Sequence, residues 1–256
     1  MQFIDTHTHL YADEFTADIE SVISKAIESK VNLMLLPDID SQTREAMLQL
    51  HKKYPENCPV MIGLHPTSVK EDYKTELEKI DEIISKYKFC GIGETGIDLY
   101  WDKTFFTQQL DSFVYQVELA LKYDLPIVIH SRKSINEIFS ALKPYKGKGL
   151  KGVFHCFPGS MEEAKRVIDM GFYLGIGGVV TYKNSGMAEV VKQVDLKHLL
   201  LETDAPYLTP VPFRGKRNES SYIPLIAEFI ALLKGITVEE VAETTTSSAK
   251  QLFKIY

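Results

Sequence analysis

The sequence predicts an α/β fold of the (β/α)8 TIM-barrel type, and three observations carry that prediction. Eight short apolar runs are separated by longer amphipathic segments, the signature of parallel βαβ units rather than of a sandwich. The 256 residues match the roughly 250 of such a barrel and would cramp two full domains. Histidines and carboxylates recur at the C-terminal ends of the runs, where a TIM barrel assembles its active site.

The first run, Phe3 to His7, precedes a helical pattern from Ile19 to Ser29, and Val31 to Leu36 precedes a second over Thr43 to Lys53. In each helical segment apolar residues recur at three-to-four spacing, which gives one buried face. Val60 to Leu64 and Phe89 to Gly93 supply strands three and four, and Phe105 to Leu121 reads as the next helix. Ile127 to His130, Gly152 to His155, Tyr173 to Ile176 and Leu199 to Glu202 complete the eight, with Met161 to Met170 helical before the seventh. Ile223 to Leu233 and Val238 to Phe253 read as closing helices. No linker, low-complexity tract or repeat divides the chain, so one domain over residues 1–256 is expected.

A composition of 45% hydrophobic and 25% charged residues supplies one sizeable core and argues against disorder. The net charge of -6 excludes a surface built to coat DNA or anionic membrane, because that needs many basic side chains to release counterions. Nucleic-acid contact should therefore be local. Cys58, Cys90 and Cys156 are odd in number and widely spaced, which suits neither a disulfide framework nor a thiolate zinc site. The chain runs straight into Phe3-Ile4-Asp5 without a basic region and apolar stretch, and no apolar run reaches about 18 residues. A cytoplasmic location without a membrane partner is the expectation.

His7 and His9 end the first run, Glu94 the fourth, His130 the fifth and His155 the sixth, and Asp204 follows the eighth. In a strand, i, i+2 spacing puts His7 and His9 on one face, so two imidazoles aim at one ion. Alone, a His-x-His pair fits a surface pair or core histidines equally well; its place among the other strand ends favours the metal reading. Four histidines and two carboxylates are enough for two divalent cations. Asp204 also fits a helix N-cap before Ala205-Pro206.

Six segments lie in order at these strand ends: Asp5-Thr6-His7-Thr8-His9-Leu10, Gly63-Leu64-His65-Pro66, Gly93-Glu94-Thr95-Gly96-Ile97-Asp98, His130-Ser131-Arg132, His155-Cys156-Phe157 and Leu201-Glu202-Thr203-Asp204-Ala205-Pro206-Tyr207-Leu208. Together, and with Pro212 to Glu219 after them, they resemble the TatD family of metal-dependent deoxyribonucleases in the amidohydrolase-like superfamily. Single pieces such as Gly-Glu-Thr-Gly are weak, but six in sequence are specific. The resemblance implies that His7, His9 and Asp204 hold one ion, that His130 and His155 hold the other, and that Glu94 bridges them. It implies DNA as substrate and activity with magnesium; the net charge of -6 with one small basic rim favours single-stranded or frayed ends over long duplex, with 3′–5′ exonuclease action expected. Imidazole ligands by themselves favour zinc or manganese, so the ion stays open among Mg, Mn and Zn.

Such chemistry needs no protein nucleophile, leaving Glu94 and Asp204 as the catalytic pair, with Asp204 able to orient the attacking water. Asp5 and Glu202 share strand parity with His7 and Asp204 and are expected inside the barrel, holding ligand imidazoles or forming a structural ion pair. His65, Arg132, Arg214, Lys216 and Arg217 are candidate phosphate contacts at the rim, although basic triplets are often just solvated loops. Tyr100, Trp101, Phe105 and Phe106 could stack on an unpaired base, the last two being equally the apolar face of a helix. His51, on a solvated helix, and His198, at the far end of a strand, are set aside. Other readings remain: ester hydrolysis in mischarged aminoacyl-tRNA, opening of a cyclic amide, or a scaffold that metals merely brace. Metal removal separates the scaffold from the enzymes.

Overall fold

The computed structural model describes residues 1–255. Seven regular strands alternate with helices in the order β1 (Phe3–Asp5), α1 (Ile19–Glu28), β2 (Val31–Met34), α2 (Arg44–Lys53), α3 (Tyr73–Ile83), β3 (Ile92–Asp98), α4 (Phe106–Tyr123), β4 (Ile127–Arg132), α5 (Ile135–Leu142) and β5 (Gly152–Phe154). α6 (Met161–Asp169), β6 (Phe172–Ile176), α7 (Met187–Gln193), β7 (Leu199–Leu201), α8 (Ile223–Lys234) and α9 (Val238–Phe253) follow. All pairings are parallel, with β1 beside β2 and β3 to β7 neighbouring in sequence order.

The expected third strand is present only as single bridges, Val60 to Leu36 and Ile62 to Ile92. Pro59 has no N–H to give a ladder, so the segment is short, yet it still joins the two sheets. Leu36 N–H donates to Pro59 O (2.8 Å) and Gly93 N–H to Ile62 O (2.9 Å). On the other side Thr6 N–H donates to Leu201 O and Asp204 N–H to His7 O, both at 2.9 Å. These bonds bring the last strand back to the first and complete the TIM barrel.

The fourth strand was expected over Phe89 to Gly93 but runs from Ile92 to Asp98, so Glu94 lies within it. Ile92 pairs with Ile127 and Thr95 with Ile129, three steps on β3 against two on β4. That bulge reverses the alternation: Ile92 packs among the helices, whereas Glu94 turns toward the interior beside His130.

Inside the barrel, Ile4, Leu35, Met61, Cys90, Val128, Val153 and Leu200 form a layer contributed by nearly every strand. Ala249, Leu252 and Phe253 of α9 cover its floor. The other face of the strands packs on the helices through a larger cluster that includes Phe3, Ile62, Phe113, Phe154 and Ile226. α6 and α9 begin at capping boxes, Ser160 with Glu163 and Thr237 with Glu240, which satisfy otherwise orphaned N–H groups. No single helix among the described residues is long and apolar enough to cross a membrane.

Candidate metal centre

Glu94 occupies the middle of the barrel mouth, almost wholly buried, and its two oxygens face different sets of imidazoles. Oε2 is 3.1 Å from His7 Nε2 and 3.6 Å from His9 Nε2. Oε1 is 2.8 Å from His130 Nδ1, 3.2 Å from His65 Nε2 and 3.4 Å from His155 Nε2. Asp204 Oδ1 completes the first side, 3.6 Å from His7 Nε2 and 3.5 Å from His9 Nε2. Three groups of donor atoms each fit within 4.8 Å: His7, His9 and Glu94; His7, His155 and Asp204; and His65, Glu94 and His130. Donors so crowded suit cations, since imidazole nitrogens 3.3 Å apart, as in His7 and His9, gain little from each other.

Further groups fix which nitrogen faces the centre. Tyr11 donates its hydroxyl to Pro37 O (2.5 Å), so its oxygen accepts from His9 Nδ1 (3.0 Å) and leaves His9 Nε2 as a free donor to an ion. His155 Nδ1 lies 3.2 Å from Glu202 Oε1, and His130 Nε2 lies 2.9 Å from Asp98 Oδ2. His65 differs, because its Nδ1 accepts from Thr67 N–H (3.2 Å) and its Nε2 therefore carries the proton. In that form its Nε2–H faces Glu94 Oε1, 3.2 Å away.

Charge compensation inside the cluster is strong. Burial pushes the Glu94 carboxyl up, but His65, His155 and His7, with a hydrogen bond from His130, outweigh it and hold it well below the ordinary value. Asp204 is likewise held down against burial by His155, His9 and His7. His155 is raised to about 10, since Glu202, Glu94 and Asp204 overcome the burial that would lower it. Carboxylates that hold protons on imidazoles in this way would hold a cation in the protons' place.

Tyr11 and Asp98 did not emerge from the sequence. Asp98 lies four residues after Glu94 on the same strand, so the signal was alternation continued past Gly93. The reading of Asp5 needs correction. β1 ends at Asp5 and the chain then bends, so parity does not carry on to His7. The Asp5 carboxylate accepts from Thr203 Oγ1 (2.5 Å) and Ser220 Oγ (2.7 Å), and touches the His7 backbone N–H rather than an imidazole.

The basic rim also divides. Arg132, Arg214 and Lys216 are exposed, lying over Tyr100 (4.2 Å), Tyr182 (4.2 Å) and Phe213 (5.5 Å) respectively. Arg217 is not free for phosphate: its guanidinium donates twice to Asp18 (2.8 and 2.7 Å), and also to Glu219 and the Glu14 carbonyl. Its long side chain is used to pin the rim loop to the segment before α1. Phe105 and Phe106 are partly buried against the core, as the apolar face of a helix would be, whereas Tyr100 and Trp101 are exposed. His51 serves the fold, its Nδ1 lying 2.8 Å from Cys58 O.

Residues 4–254 match the family model described as TatD related DNase. The chain is 41% identical to YabD of Bacillus subtilis (strain 168), described as an uncharacterized metal-dependent hydrolase, over 98% of both chains. It is 32% identical to the 3′-5′ ssDNA/RNA exonuclease TatD of Pantoea ananatis, over 97% of this chain and 98% of that one. The crystal structure of YjjV, a TatD homologue from Escherichia coli K12, superposes with a TM-score of 0.93 at 29% identity, covering 99% of this chain and 98% of the other. With its fold, its histidine and carboxylate cluster and these relatives in agreement, the chain belongs to the TatD-related DNase family of metal-dependent hydrolases.

Proposed function

We propose that this chain, acting as one barrel domain in the cytoplasm, hydrolyses phosphodiester bonds in DNA at single-stranded or frayed 3′ ends with two divalent cations. The division of Glu94 between two sets of imidazoles carries the reading, because one carboxylate with an oxygen for each side suits a shared ligand. His7, His9 and Asp204 would hold one cation and His130 and His155 the other, with Glu94 common to both. Bound Mg, Mn or Zn would supply acidification of water and polarisation of the phosphoryl oxygen.

The protein's part is placement. Glu94 keeps its negative charge at the centre, and Asp204, beside His7 and His9, would orient the attacking water. His65 Nε2–H offers a hydrogen bond to a phosphate oxygen, and Arg132, Arg214 and Lys216 offer charge along the strand at the rim. With a net charge of -6, these local cations favour a short stretch of one strand over long duplex. The Pantoea relative's description, 3′-5′ ssDNA/RNA exonuclease, supports both the substrate class and the polarity.

The test is nucleotide release from end-labelled single-stranded and duplex DNA, with and without magnesium or manganese, beside Glu94→Ala. Metal-dependent release from the 3′ end that is lost in the variant is expected. Absence of release with every metal would overturn the nuclease reading and bring aminoacyl esters and cyclic amides forward as substrates.

A further inference from the structure

Immediately after β3 the chain exposes two adjacent aromatic rings beside the metal centre. Trp101 is 67% exposed and Tyr100 46%, so both side chains are open to a partner. The rings meet edge to face, with centroids 4.9 Å apart and planes at 83°. Arg132 lies over both, 4.2 Å from the Tyr100 ring and 5.2 Å from Trp101, and Lys133 Nζ is 4.9 Å from Tyr100. The group is anchored rather than loose. Asp98 Oδ1 accepts from the backbone N–H of Tyr100 (2.8 Å) and of Trp101 (3.1 Å), while its Oδ2 faces His130 Nε2 at 2.9 Å. A single buried carboxylate therefore fixes the aromatic pair relative to a proposed metal ligand.

We propose that Tyr100, Trp101 and Arg132 form a platform on which an unpaired nucleobase stacks, with Arg132 and Lys133 facing the phosphate next to it. The proposal rests on the reading of the substrate as a nucleic-acid strand. Every base has a π face, so a stacking platform accepts any sequence, but in a duplex those faces are covered by neighbouring bases. Selection for unpaired ends then follows from access to the ring. The cations over the rings add attraction for the base and for the backbone charge that accompanies it.

Trp101 is the only tryptophan in the chain, so tryptophan emission, excited selectively away from the tyrosines, reports on this one position. The experiment titrates metal-loaded protein with a phosphorothioate-linked oligothymidylate and follows that fluorescence. In parallel it measures kcat/KM of wild type, Trp101→Phe and Trp101→Ala on an ordinary oligonucleotide and on one carrying abasic sites at its 3′ end. Saturable quenching is expected, with Trp101→Ala losing about 5- to 150-fold in kcat/KM on the ordinary strand. Trp101→Phe should retain most of it, and on the abasic strand the three proteins should be alike. Cleavage by Trp101→Ala at the wild-type rate, or no quenching in a wild type that cleaves, would overturn the platform and leave the nuclease reading standing. Absence of both cleavage and quenching in the wild type would overturn the two together.

Discussion

Tyr11 shows how one hydroxyl decides what an imidazole can do. By donating to Pro37 O it must accept from His9, which commits the His9 proton to Nδ1 and points the Nε2 lone pair at Glu94 and Asp204. Tyr11→Phe removes that choice and leaves Nδ1 without its partner. Groups of this kind contribute roughly 10- to 100-fold to metal affinity, and a loss of that size is expected in calorimetric titration with zinc or manganese, with the circular dichroism unchanged. Affinity equal to wild type would end the positioning role. At this scale the sequence was informative about the donors themselves, since His7, His9, Glu94, His130, His155 and Asp204 announce themselves by type and by place at strand ends. Their supports were hidden. Tyr11, Asp98 and the protonated side of His65 depend on where strands bend and which nitrogen a neighbouring backbone amide engages, and neither is written in residue type.

At the scale of the element, β3 is the piece on which the site depends. Its bulge turns Glu94 inward, and the strand then runs close against β4 at Gly96, whose φ is +148°. A Cβ there would sit 2.0 Å from His130 O, on backbone that cannot yield without parting the two strands. Gly96→Ala is therefore expected to cost about 3 kcal/mol or more in urea unfolding. It should also weaken metal binding by separating Glu94 from His130. Gly147→Ala is the control: its φ is +77° but nothing lies within 4 Å of its Cβ, so only the conformational cost of about 1 kcal/mol applies. Equal stability of the two variants would show that the close approach to β4 is relaxed in solution. Long helices were legible because many turns repeat one apolar face; Val238–Phe253 matches its expected limits. α5 and α7, at 8 and 7 residues, are too short to establish a period, and in α3 the buried Tyr73, Leu77 and Ile80 are outnumbered by charged neighbours.

For the molecule as a whole, the barrel brings donors from widely separated strands to one mouth, while most of its apolar burial lies elsewhere, in the interior layer and beneath the helices. Stability should thus depend only modestly on the ions. Chelation is expected to abolish turnover and to lower the melting temperature by roughly 5–10 °C, the effect of losing a ligand present at about 100 times its Kd. A chelated protein that no longer melts cooperatively would favour the metal-braced scaffold. The sequence carried this level best, because eight apolar runs of suitable length admit few other arrangements; closure itself was not legible, since it rests on backbone bonds such as Thr6 N–H to Leu201 O.

α9 lies across the floor of the barrel, with Leu252 and Phe253 against side chains from strands distributed along most of the chain. During synthesis every one of those strands leaves the ribosome before the helix that covers them. The nascent barrel must wait with its floor uncovered, offering Ile4, Met61 and Leu200 to chaperones or to neighbouring chains, until residues 238–253 arrive to seal it.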